Sequence, residues 1–290
     1  MKKLISVALL GLCCLMAPAI AVAQGGDAAA LRAKFNEVRR QFEHNLLDGR
    51  MVLESAEMPD QLRGDAHAVI AHPFLEVSNA LRVPAVWCEI LMLHLNTKHC
   101  LVQETSARTS LVVAIGRTYD QPLSDAQRID LAWRTVSIAP DYLAVRLSAT
   151  HGPLATRDYR IELKATPIDD GKTFIHLGYA YSDGIVARLA MQIYLATTGS
   201  GKIGFTVTGT NSAGEREYVG GVRGVVERNT MRYYLAIEAY LDAPEDQQLS
   251  ERLSKWFDGT ARYARQLHEM DRSAYIAMKQ EEFQRMRVAR

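Results

Sequence analysis

The chain has 290 residues, with 34 basic and 33 acidic side chains and 48% hydrophobic residues. A formal charge of +1 gives no electrostatic drive toward nucleic acid or an anionic membrane surface. Beyond the first residues, no stretch approaches the ~20 apolar residues that a membrane-crossing helix needs.

The first residues set the expected compartment. Lys2 and Lys3 form a positive start, Leu4–Met16 an apolar run, and Ala21-Val22-Ala23 a small-x-small cleavage site before Gln24. Residues 1–23 therefore read as a Sec signal peptide, and the mature chain is expected to be periplasmic or secreted, with no transmembrane anchor after cleavage. The remaining 267 residues (290 less 23) carry a charge near −1, because Lys2 and Lys3 are lost. Cys13 and Cys14 also leave. Cys88 and Cys100 remain, and in an oxidising compartment two thiols are most simply a disulfide. Metal binding by this pair with His94 and His99 is the alternative, and its spacings match no common zinc pattern.

After a flexible Gln24-Gly25-Gly26, Asp27 can cap a helix reaching about Leu47, with Leu31, Phe35, Val38, Phe42 and Leu46 on one face. Met51–Glu57 and Arg63–Ala71 read as strands around the turn Met58-Pro59-Asp60. A helix starts at His72-Pro73-Phe74, where proline is well placed, and Pro84 ends it. Trp87–Met92 reads as a short helix and Leu93–Val102 as a strand. That strand would present His94, Asn96 and Lys98 on one face, toward either a ligand or solvent.

A period of two then takes over, at Leu111, Val113, Ile115, at Leu131, Trp133, Thr135 and at Leu143, Val145, Leu147. Tyr159, Ile161, Leu163 and Ala165 alternate with Asp158, Arg160, Glu162 and Lys164. After a turn at Pro167–Gly171, Ile175, Leu177, Tyr179 and Tyr181 share one side of the next strand. One apolar and one charged face imply an antiparallel sheet with a wet side. Ile185–Thr197 alternates too, but its Ala, Leu, Met and Gln content favours a helix. Lys202–Gly209 reads as a strand, and Tyr218-Val219 ends another.

Gly220–Asp242 is expected to form one long helix, bounded by Gly220-Gly221 and Pro244. One face collects Val222, Val225, Val226, Asn229, Tyr233, Ala236, Ile237 and Tyr240, with Glu227, Met231 and Glu238 opposite. An apolar face interrupted by an amide and two phenols suits a cavity wall. Arg223 and Glu227 can pair at i,i+4, while Arg228 and Arg232 read as solvated flanks; the alternative is an arginine at the cavity mouth that holds an acidic head group, with none chosen. Past Pro244, helices are expected over Asp246–Phe257 and Thr260–Met286. Trp256, Tyr263 and Leu267 pack the tail back or offer a lid or partner surface, and the charged Lys279–Arg290 is expected to fray.

The strand Ala66–Ala71 running into His72-Pro73-Phe74-Leu75-Glu76-Val77, the Asp158–Tyr181 hairpin and the helix from Val222 together resemble the START-like (SRPBCC) superfamily, here as an exported bacterial member. The resemblance implies an α+β helix-grip fold, a curved antiparallel sheet wrapped around a long C-terminal helix. It covers residues 50–242, leaving an N-terminal helix at 24–49 and a helical extension at 243–290. It also implies a deep apolar cavity for a hydrophobic, lipid-like small molecule, held as carrier or sensor. Asn229, Tyr233, Tyr179, Tyr181, Trp87 and Arg223 are the candidate ligand-binding residues.

No G-x-S-x-G, H-E-x-x-H or complete phosphate loop occurs. Gly199–Lys202 lacks the loop's first glycine, having Ala196 there, and has Ile203 where Ser or Thr would stand. No catalytic residue, cofactor or metal is assigned. The alternatives are an enzyme of the same superfamily, cyclase- or hydrolase-like, using His94, His176 or Glu227, and a partner-binding scaffold built on the tail.

Overall fold

The computed structural model describes residues 20–42, 47, 49–152, 156–169, 171–182, 184 and 201–288. Residues 1–19 of the expected signal peptide and the helix expected over Ile185–Thr197 lie outside them. No described helix is long and apolar enough to cross a membrane.

Eight strands form one antiparallel sheet: β1 (Met51–Met58), β2 (Gln61–Ile70), β3 (Thr97–Glu104), β4 (Thr109–Ile115), β5 (Gln127–Ala139), β6 (Tyr142–His151), β7 (Arg157–Asp169) and β8 (Lys172–Ser182). Their order is β1-β2-β8-β7-β6-β5-β4-β3. Period-two patterning explains the register. Ala66, Leu177, Leu163 and Val145 stand side by side across four strands, all fully buried. One residue along, Asp65, Gly178, Glu162 and Arg146 form the matching row on the other face.

That second face is not simply wet. Helix α1 (Ile20–Phe42) lies on it, burying Ala28, Leu31, Val38 and Phe42 with Val52, Tyr142, Ala144 and Phe174. The helix begins before the expected start at Asp27 and ends before Leu47, because Ile20–Ala23 are themselves compatible with helix. Near its edge, His67 stacks on His176 at 4.6 Å, and His176 Nε2 lies 2.6 Å from Asp65 Oδ1.

Between β2 and β3 come α2 (Phe74–Leu81) and α3 (Pro84–Met92), with Pro84 in the first turn of α3. β3 starts at Thr97 rather than Leu93, because the turn after α3 continues through His94: Leu93, His94 and Thr97 donate to the carbonyls of Ile90, Leu91 and His94. The extended row His94, Asn96, Lys98 therefore does not exist. Cys88 and Cys100 form a disulfide that ties α3 to β3. A short ribbon of β9 (Val207–Thr210) and β10 (Arg216–Tyr218) precedes the long helix, so the strand expected from Lys202 is confined to its end.

The long helix α4 (Gly221–Asp242) packs on β1, β2 and β8. Gly64 of β2 permits the contact, since a Cβ there would fall 2.3 Å from Thr230 Oγ1 and 2.7 Å from Val226 Cγ1. Glu227 and Met231, expected on the outer face, are fully buried. The tail covers the back of α4 with α5 (Leu249–Ala261) and α6 (Ala264–Leu267), while α7 (Arg272–Val288) packs on α5, α3 and β3; Glu227 is closed over by β1 and residues 204–206. Glu227 accepts hydrogen bonds from Ser55 Oγ (2.5 Å), the Phe205 and Thr206 amides (2.6 and 2.9 Å) and Thr206 Oγ1 (2.7 Å). Four donors make burial of a carboxylate tolerable.

The tail is equally committed. Arg252, fully buried, donates to Glu89 (2.9 Å) and to the carbonyls of Ala243, Pro244 and Glu245. The end expected to fray is helical instead and buries Lys279, Glu282, Phe283 and Met286. Glu282 accepts from Lys279 (2.7 Å) and from Lys98 of β3 (2.9 Å), and Tyr275 donates to the Leu93 carbonyl (2.9 Å).

Two stability measurements follow from these links. Reducing the Cys88–Cys100 disulfide is expected to destabilise by about 3 kcal/mol, read as a lower urea midpoint with reductant. Glu282→Ala leaves Lys98 and Lys279 buried without their carboxylate and should cost about 3–5 kcal/mol. An unchanged midpoint for this variant would mean that α7 is not anchored there.

Candidate functional site: a cavity between sheet and long helix

The helix touches one side of the sheet and stands away from the other. Between α4 and strands β3–β5, β7 and β8 lies a cavity of about 700 Å³, within the range of ~300–1,000 Å³ for small-molecule sites. Its apolar wall comes from inward positions of the alternating strands, among them Leu62, Val113, Ile129, Leu131 and Ile161, with Leu91 and Leu95 from α3 and its following turn. Residues Gly116–Asp120, between β4 and β5, form part of the rim. The Lys98 ammonium group donates to the Tyr119 carbonyl, and the Gly116 amide to the Asn96 carbonyl (2.7 Å), holding this rim against β3.

Four tyrosines gather on one side. Tyr159 stacks on Tyr181 (5.3 Å between ring centres), and Tyr179 lies 5.6 Å from Tyr233 of α4. Thr156 Oγ1 donates to the Tyr159 hydroxyl at 2.9 Å. Burial raises the pKa values of Tyr159, Tyr179 and Tyr233, so all three remain neutral phenols.

His94 sits where α3 turns into β3, its ring 5.3 Å from that of Tyr233. Nδ1 accepts the Asn96 amide at 3.2 Å, which leaves the proton of the neutral ring on Nε2. Nε2 is buried without a hydrogen-bond partner; the Asn229 amide lies close enough to favour the charged ring but not in hydrogen-bonding geometry. Burial, then the nearby positive charges of Arg232 and Lys279, push the His94 pKa down to about 3.

Arg228 and Arg232 of α4, Lys202 and Glu269 complete the polar end. Arg228 Nη1 donates to the Ile203 carbonyl (3.2 Å). Arg232 Nη2 donates to Glu269 (2.9 Å), which also accepts from Lys202. Both arginines are buried, against the expectation of solvated flanks.

Of the residues singled out from sequence, Asn229, Tyr233, Tyr179 and Tyr181 line the cavity. Trp87 does not: its ring is sealed in the core, with the indole NH donated to the Leu81 carbonyl (2.8 Å). Arg223 does not either, because its helical position turns it toward β1, where Nε meets Ser55 Oγ at 3.1 Å. Ser55 thus stands between Arg223 and Glu227, which do not pair directly. His176 lies on the opposite face of the sheet and Glu227 is spent on the 205–206 backbone, so neither suits catalysis in the cavity. Tyr159, Glu269 and the 116–120 rim are not among the residues singled out from sequence, and Arg228 and Arg232 enter there only as flanks with an unassigned head-group alternative. Only the arginines carried a signal, since they flank Asn229 and Tyr233 along the helix. Among the described residues, no group of three or more His, Cys, Asp or Glu side chains is placed to hold a metal.

Acid sensitivity should reveal the buried histidines. On the far face of the sheet, the His67 pKa is also lowered to about 3, by burial first and then by His176, Lys34 and Arg63, with Asp65 opposing. Glu54 lies 3.9 Å from its Nδ1. In the unfolded chain both histidines titrate near ~6.5. The unfolded state therefore binds more protons between about pH 6.5 and 3, and stability falls as pH drops through that window. At pH 4.5 the loss is roughly 2–3 kcal/mol per histidine. Thermal melts at pH 7 and 4.5 should show it, and His67→Phe should flatten the dependence. Equal slopes in the two proteins would contradict the assignment to His67.

No protein-family model matches the sequence, and neither does any curated protein. Among solved structures, the chain is similar to a conserved protein from Geobacillus kaustophilus (14% identity, TM-score 0.37, covering 62% of this chain and 95% of that one). It is also similar to human StAR-related lipid transfer protein 5 (8%, 0.31, 58% and 89%) and norcoclaurine synthase from Thalictrum flavum (11%, 0.33, 54% and 83%). With identities and TM-scores this low, the assignment to an α+β helix-grip fold rests on this chain's own strand order and on the long helix that its antiparallel sheet holds.

Proposed function

We propose that this chain is an exported START-like protein that binds a hydrophobic, lipid-like small molecule between sheet and long helix, as carrier or sensor. The observation that carries the reading is the cavity itself: about 700 Å³ with mostly apolar walls and a polar cluster of Lys202, Arg232 and Glu269 in its lining. The Cys88–Cys100 disulfide fits an oxidising compartment, as does the signal-like start. Asn229, Tyr233, Tyr179 and Tyr181 orient the ligand. Turnover is disfavoured because His94, with a pKa of about 3, is a weak base at neutral pH. The tail spends its apolar stripe on its own domain, where Trp256 and Tyr275 are buried, which weighs against a partner-binding scaffold.

Native mass spectrometry of freshly purified mature protein should detect a bound small molecule, and solvent extraction should release it. Val225→Trp, which fills the cavity from α4, is expected to abolish that mass and the binding of a fluorescent apolar probe while the chain stays folded. A folded Val225→Trp protein that still takes up the probe in the same amount would refute this placement of the ligand.

A further inference from the structure

The polar end of the cavity is unequal in charge and in hydrogen-bonding sense. Among the described residues, the lining holds Arg117, Lys202, Arg228 and Arg232 against the carboxylates of Asp120 and Glu269, and of these Lys202, Arg232 and Glu269 meet at this end. Glu227, on the same stretch of α4, has its oxygens taken by Ser55, Phe205 and Thr206; even when it is counted, cations exceed carboxylates. The neutral groups are also donor-capable. His94 offers an Nε2–H with no hydrogen-bond partner, and Asn229 and Tyr233 stand beside it. A buried donor left unmatched costs about 1–3 kcal/mol, so a ligand that accepts from it regains that amount.

The arginines are four residues apart on α4, so their guanidinium groups share one face of the helix. Guanidinium groups suit carboxylate or phosphate oxygens through charge-assisted bonds. Arg232 already holds one carboxylate this way, that of Glu269, at 2.9 Å. The lining also holds Ile129, Leu131 and Ile161, which offer an anion nothing and an aliphatic chain a dry surface.

The geometry points to a ligand that is a single-chain amphiphile with an anionic head, its oxygens at Arg228, Arg232 and His94 and its chain along the sheet. This rests on the cavity-binding reading above and adds the head-group chemistry. Glu269, on the loop between α6 and α7, then competes with the ligand for Arg232.

Displacement of neutral N-phenyl-1-naphthylamine from the full mature chain tests this with three probes of one chain length: dodecanoate, dodecyl phosphate and 1-dodecanol. At least one anion should bind about tenfold more tightly than the alcohol. The tighter of the two identifies a carboxylate or a phosphate head. Arg228→Gln should narrow the gap between anion and alcohol. Glu269→Gln, which removes the competing carboxylate, should widen it, whereas a merely structural role for Glu269 would weaken all three probes together. Equal binding of alcohol and anions overturns the inference and leaves the cavity reading standing. A protein that takes up neither the naphthylamine nor any of the three overturns both.

Discussion

The close seat of α4 on β2 is the contact from which the rest of the molecule follows. Gly64 has no side chain, so Val226 and Thr230 come down onto the strand backbone. The helix is thereby fixed against β1, β2 and β8 at one side of a curved sheet. Curvature and twist carry the remaining strands away from a straight helix. The side chains of β3–β5 and β7 cannot bridge that gap, and the space left over is the cavity. A bulkier residue at position 64 would lift the helix and alter the cavity's width before it touched any lining residue.

The back of α4 is closed by ionic groups as much as by apolar ones. Arg252 reaches Glu89, Lys98 and Lys279 share Glu282, and Glu227 gathers four donors. Each buried charge carries a desolvation cost that only full hydrogen bonding offsets, so such groups tolerate few alternative arrangements. The Arg252 and Glu282 groups lie against α3, β3 and the end of α4, where the disulfide is also found, whereas Glu227 joins the start of α4 to β1 and residues 205–206. The tail is thus continuous with the domain that holds the cavity. It places Glu269 at the cavity's polar end beside Arg232 and Lys202.

Much of the architecture was legible from periodicity. The alternation in β7 and β8 located the hairpin, and the inward side chosen for Tyr179 and Tyr181 is the side that faces the cavity. Asn229 and Tyr233 were found because they interrupt an apolar stripe. Trp87 and Arg223 were misplaced for a common reason: residue type suggested a ligand contact, but a local partner, the Leu81 carbonyl or Ser55, claimed the side chain. Around His94 a helix end and a strand start look alike over four residues, so periodicity there suits a strand where the chain in fact turns. Arg228 and Arg232 passed as solvated because charge alone does not reveal that another part of the chain will cover it.

Local patterning in this chain determined the elements, their approximate ends and which side of each strand would be apolar, since these depend on residues a few positions apart. Contacts between distant residues decided the rest: α1 on the outer face of the sheet, the tail behind α4, and Lys202 and Arg232 gathered on Glu269. Those placements join residues up to 184 positions apart, as Lys98 and Glu282 show. No periodicity encodes such a pairing. It depends on which surfaces remain unburied once the sheet has closed around the helix.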